Sequence, residues 1–108
     1  LLERWRFEQA KGIHTRRNKP LSPTTIEAHD YGLDLLWRFA QVDEHLDHFT
    51  AATFQRALEN FPHDEDARND HYSMREKMHR ACVSFGKMLV RHGLLPPAEL
   101  EGIRALKP

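Results

Sequence analysis

Apolar positions recur at helical steps along most of the chain, and no stretch makes a convincing strand. The best-punctuated segment is 21–40, LSPTTIEAHDYGLDLLWRFA, where Ser22 offers an N-cap oxygen and Pro23 suits the first helical position. Ile26, His29, Leu33, Leu36, Trp37 and Ala40 then share one face. The pattern predicts a long amphipathic helix at the centre of a small helical core.

The flanking segments fit the same plan. Leu1 to about Lys11 lacks glycine and proline, carries Leu2, Trp5 and Phe7, and reads as a first helix closed by Gly12. Ile13 to Leu21 is polar, basic and contains Pro20, hence a loop. Asp43 to Phe49 is a charged connection, after which Thr50 caps a third helix with Phe54, Ala57, Leu58 and Phe61 on one face and Pro62 as its stop. The run 63–71, HDEDARNDH, reads as a polar surface loop.

Ser73-Met74-Arg75-Glu76 spells a capping box and opens a fourth long helix. That helix carries Met74, Met78, Ala81, Cys82, Phe85, Met88 and Leu89 on one side and stops at Gly93. Pro96-Pro97 begins a tail with one further turn around Leu100 and Ile103. The expected architecture is all-α: a compact four-helix bundle with a short C-terminal helical turn.

A length of 108 residues bounds the chain to one domain, 1–108. The single cysteine, Cys82, excludes an internal disulfide framework and fits a small core residue. There is neither an apolar run for a membrane span nor a signal peptide. The start at Leu1 and the end at Lys107-Pro108 suggest a domain of a longer protein.

Charge changes the picture through its placement rather than its sum, since 16 basic residues cancel 16 acidic ones. Lys11, Arg16, Arg17 and Lys19 form a basic cluster that runs, with His14, into the N-terminus of the organising helix. Backbone N–H groups and the helix dipole there favour a phosphate, with Thr24 and Thr25 hydroxyls as added donors. A flexible charged linker is the plainer alternative. On the fourth helix, opposite the apolar face, Lys77, Arg80, Ser84, Lys87 and Arg91 form a stripe of donors without a carboxylate. That pattern alone equally fits an ordinary solvated face. Acids collect at Asp43, Glu44 and Asp47, and again from Glu59 to Asp70, and should face away from any polyanion.

Three spellings imitate catalytic or metal sites. His14-Thr15-Arg16-Arg17 is a His-x-x-Arg in a basic loop; His45 and His48 lie near Asp43 and Asp47; His29-Asp30 resembles a hydrolase dipeptide. None has the partners its chemistry needs, and His29 falls on the core-facing stripe, where a packed histidine is the default. Tyr31 and Tyr72 lack a pattern of arginine and histidine that would activate a nucleophile. No catalytic set can be assembled, and no cofactor or metal is called for.

The organising stretch and the fourth helix together resemble the N-terminal core-binding (SAM-like) domain of tyrosine recombinases of the phage-integrase family. In that family the second helix opens Leu-Ser-x-x-Thr and continues with Tyr, Leu and Phe; here Leu21, Ser22, Thr25, Leu33 and Phe39 match. His29 stands where the tyrosine is expected, and Leu36 where an aromatic is common. The family's last long helix runs into a glycine, an apolar pair and Asn-Pro. This chain reads Gly93, Leu94, Leu95, Pro96, Pro97, with Pro96 replacing the asparagine.

The resemblance implies a DNA-binding half-clamp, with the catalytic domain and its tyrosine nucleophile beyond Pro108. It implies double-stranded DNA and further protomers of the same recombinase as partners, a tetramer on two duplexes in the full-length family. A cytoplasmic, nucleoid-associated place in a bacterium or phage host follows with it. Under this reading the loop (Lys11, His14, Arg16, Arg17, Lys19) supplies affinity, and Arg80 and Lys87 supply base preference. Two other classes stay open: a helical protein-interaction module without DNA binding, and a metal-dependent helical hydrolase.

Overall fold

Ser22 shows how locally the fold is set: its Oγ accepts the Thr25 backbone N–H at 3.2 Å, and Pro23 begins the helix directly after it. The computed structural model describes residues 2–13, 15, 18–61 and 68–106, with backbone alone at 68–72. Within them the elements are α1 (Leu2–Lys11), α2 (Pro23–Ala40), a 3-10 turn (Leu46–His48), α3 (Ala51–Asn60), α4 (Arg68–Arg91) and α5 (Pro97–Ala105). All regular structure among the described residues is helical, and none of these helices is long and apolar enough to cross a membrane.

The core lies where α2 crosses α4 and α3. Leu33, Leu36, Trp37 and Ala40 of α2 are buried against Phe54 and Ala57 of α3 and Met78, Cys82 and Phe85 of α4. Each fully buried large side chain is worth about 1.5–3 kcal/mol, so this interface dominates the stability. Burial pushes the Cys82 thiol upward, as suits an inert core residue. Gly32 permits the crossing: a Cβ there would collide with the Lys77 carbonyl oxygen and stand 2.7 Å from the Ala81 methyl. α1 joins through Trp5, which is 2% exposed, stacks on His29 at 5.7 Å and meets Phe85 at 5.1 Å.

Several boundaries match the expectation. Gly12 follows α1 at φ 75°, Thr50 Oγ1 caps α3 by accepting the Thr53 N–H at 3.1 Å, and Gly93 ends α4 at φ 70°. Phe61 is the C-cap of α3, and Pro62 lies outside the described residues.

Other boundaries differ. α4 starts at Arg68, so 68–71 is helix rather than loop, and Ser73-x-x-Glu76 lies inside the helix instead of capping it. No glycine or proline interrupts 68–85, and serine inside a helix costs only a few tenths of a kcal/mol. Residues 63–67 of the expected loop lie outside the described residues. The expected C-terminal turn is a nine-residue helix that packs on α3 and α4 and buries Leu100 and Ile103. Its Glu99 Oε2 accepts the Ala51 N–H at 2.7 Å, capping α3 from a distant part of the chain. The charged connection before α3 also buries Phe49, at 1% exposure, against Trp37 and Phe85. Phe7, expected to add apolar weight to α1, is instead 47% exposed beneath the Arg4 guanidinium.

Candidate nucleic-acid interface

The close approach at Gly32 brings the first turns of α2 beside the middle of α4. Thr24, Thr25 and Ala28 of α2 line a cleft of about 280 Å³ together with His29, Lys77 and Arg80. A second cleft, of about 340 Å³, runs along the outer flank of α4, with Arg80, Ser84, Lys87 and Arg91 on one wall. Glu8 and Gln9 of α1, with Thr15 and Leu21 of the following loop, make its other wall. Arg80 lines both clefts, so residues remote in sequence meet on one surface, where Lys77, Arg80, Lys87 and Arg91 stand beside apolar Trp5, Ile13, Leu21 and Val83.

The described residues of the loop are tied to the end of α1 and to one another through backbone carbonyls. Leu21 N–H donates to Gln9 O at 2.9 Å, and Thr15 Oγ1 donates to the carbonyls of Gly12 and Lys19 at 3.1 and 2.5 Å. Gly12 is required by this closure as well as by its φ, since a Cβ there would lie 2.6 Å from the Lys19 carbonyl carbon. Lys11, Lys19 and Thr24 are exposed, and Thr25 is half-buried. His14, Arg16 and Arg17, and with them the His-x-x-Arg spelling, lie outside the described residues.

The geometry corrects the facing of the stripe and adds neighbours to several of its residues. The donor stripe adjoins the apolar face of α4 rather than lying opposite it, because Ser84 and its neighbour Phe85 both meet Trp5. The Ser84 oxygen already accepts the Trp5 indole N–H at 3.0 Å. No carboxylate lies in the stripe itself, but two flank it: Arg80 pairs with Glu76 one turn earlier, and Arg91 lies 3.6 Å from Glu8 of α1. Lys77 and Lys87 remain exposed, Lys77 with its ammonium 5.9 Å from the Tyr31 ring centroid.

The N-terminus of α2 is also less open than its sequence suggests. Pro23 has no N–H and that of Thr25 is taken by Ser22, which leaves the Thr24 N–H and hydroxyl in the first turn. Thr25 Oγ1 lies 3.0 Å from Ser22 Oγ, so the two hydroxyls share a proton network at the cleft edge.

His29, His45 and His48 each have a structural partner. His29 is half-buried, hydrogen-bonded through Nδ1 to the Gln9 side chain and stacked on Trp5. Burial holds its pKa below the ordinary histidine value, with Arg80 adding to the effect and Asp30 opposing it. His45 Nδ1 accepts the Asp47 N–H at 3.0 Å, and His48 Nδ1 lies 2.8 Å from the Asp43 carbonyl. Among the described residues no three His, Cys, Asp or Glu side chains converge as metal ligands. Glu44 lines a different cleft, with Leu2, Arg6 and Asp34, apart from the basic surface.

Glu8, Gln9 and Thr15 belong to the surface, and no sequence pattern singles them out. Glu76 is legible as a carboxylate four residues before Arg80. Glu8 is not, because nothing local links it to Arg91. Neither a family model, nor a curated protein, nor a solved structure matches this chain.

Proposed function

We propose that this chain is the N-terminal core-binding part of a site-specific tyrosine recombinase or integrase, gripping duplex DNA as half of a clamp. One observation carries the reading: Arg80 lines both clefts, uniting the α2 N-terminus with the α4 stripe, and Thr15 and Leu21 bring the loop to the edge of the second cleft. From Lys77 to Arg91 the stripe runs about 20 Å along the helix at 1.5 Å per residue. That length suits several successive phosphates of one duplex. Thr24 and Lys77 would meet phosphate oxygens, while Arg80 and Lys87, at the centre of the stripe, would approach base edges.

The match of Leu21, Ser22, Thr25, Leu33 and Phe39 to the family pattern supports the same reading. Under it, strand cleavage and rejoining belong to another domain, this chain holds no catalytic residue, and neighbouring protomers assemble on the DNA in the cytoplasm or nucleoid. The SAM-like four-helix arrangement belongs to the same proposal, with α5 as an added helix.

The test is fluorescence anisotropy of the chain with a labelled duplex across a salt series. The proposal predicts binding at about 50 mM salt that weakens with a slope of roughly −2 to −5 in log K against log salt. No binding at low salt would overturn it and move the protein-interaction module ahead.

A further inference from the structure

Glu8 is a buried acid on the wall of the cleft that Arg80, Lys87 and Arg91 also line. Its side chain is 3% exposed, and Oε2 accepts no hydrogen bond from any described residue. Two arginines and a histidine surround it without closing on it: Arg91 stands 3.6 Å from Oε1, and His92 and Arg4 stand 3.5 and 3.9 Å from Oε2. Moving a carboxylate out of water costs several kcal/mol, and loose pairs of this kind repay it poorly. An apolar residue or a glutamine would fill the same space with less penalty, so packing does not account for the acid.

Position does. Glu8 and Arg91 line the same cleft from opposite walls, and Arg91 closes the stripe that begins at Lys77. We propose that Glu8 is a built-in counter-ion that occupies Arg91 in the unbound protein and lowers its affinity for nucleic-acid phosphate. This rests on the DNA-binding reading above. A phosphate entering the cleft offers Arg91 a full negative charge with water-accessible oxygens, and the guanidinium turns from Glu8 to it. Arg4 stays beside Glu8, so the carboxylate is not left without a cation. α1 therefore sets how tightly α4 holds a duplex.

The experiment compares the chain, Glu8→Gln and Glu8→Gln/Arg91→Gln on one labelled duplex over a salt series. Glu8→Gln is expected to bind about tenfold tighter, the value of one charge-assisted contact, and to steepen the salt slope by about one. The double variant is expected to lose both gains. Unchanged or weaker binding by a folded Glu8→Gln protein overturns the inference while leaving the DNA reading intact. Failure of all three to bind overturns both. Should Glu8→Gln not fold, 15N NMR of the Arg91 side chain in the original chain decides: its signal shifts when duplex is added, and an unmoved signal beside shifting Arg80 refutes the release.

Discussion

The Trp5 indole N–H donates to Ser84 Oγ at 3.0 Å and so ties the first helix to the flank of the fourth. The same ring stacks on His29 and meets Phe85 at a tilt, which makes Trp5 the main apolar anchor of α1. Replacing Trp5 with Ala should cost about 3–5 kcal/mol in urea unfolding, the usual range for a buried tryptophan. Trp5→Phe keeps the stacking but strands the hydroxyl, and should cost less. A loss below about 1 kcal/mol for the alanine variant would mean that α1 is not part of the cooperative core.

Gly32 is the contact on which the interface geometry turns. Alanine normally improves a helix by about 1 kcal/mol over glycine. Here the added methyl meets the Lys77 carbonyl and the Ala81 side chain, so overpacking of about 1–3 kcal/mol should win. Thermal unfolding of Gly32→Ala should show a lower Tm. A raised Tm would show that α2 and α4 do not approach so closely.

His29 gives the fold a pH dependence of defined sign. Its folded pKa lies below the ordinary value of 6.5, so between the two the unfolded chain binds more protons. Stability from this group is full above about pH 6.5 and declines as pH falls toward the folded value. Between about pH 7.5 and pH 5.5, Tm should fall more for the original chain than for His29→Gln. Equal losses would place the sensitivity in other histidines.

The fold is legible in the sequence wherever a local signal decides it. Ser22-Pro23, Thr50, Gly12 and Gly93 each act on backbone within a few residues, and each marks the boundary it spells. The start of α4 is not legible in this way, because Ser-x-x-Glu is also tolerated within a helix. α5 spells only a turn locally, since its stability comes from Leu100, Ile103 and the Glu99 cap on α3, all long-range.

The candidate site divides in the same way. Periodicity identifies the members of the α4 stripe, but not the neighbours that claim Ser84 and Arg91, since those come from α1. That the α2 threonines and the stripe adjoin depends on the crossing at Gly32.

The central claim is that this particular surface, rather than basic charge in general, meets DNA. The most direct measurement compares Lys77→Gln/Arg80→Gln/Lys87→Gln with Arg56→Gln/Arg104→Gln, which removes exposed cations from α3 and α5. In duplex titrations over a salt series, the first set should weaken binding severely and flatten the slope by roughly two to three, about 0.9 for each phosphate no longer neutralised. The second set should leave both nearly unchanged. Equal effects of the two sets, or none from the first, would contradict the account.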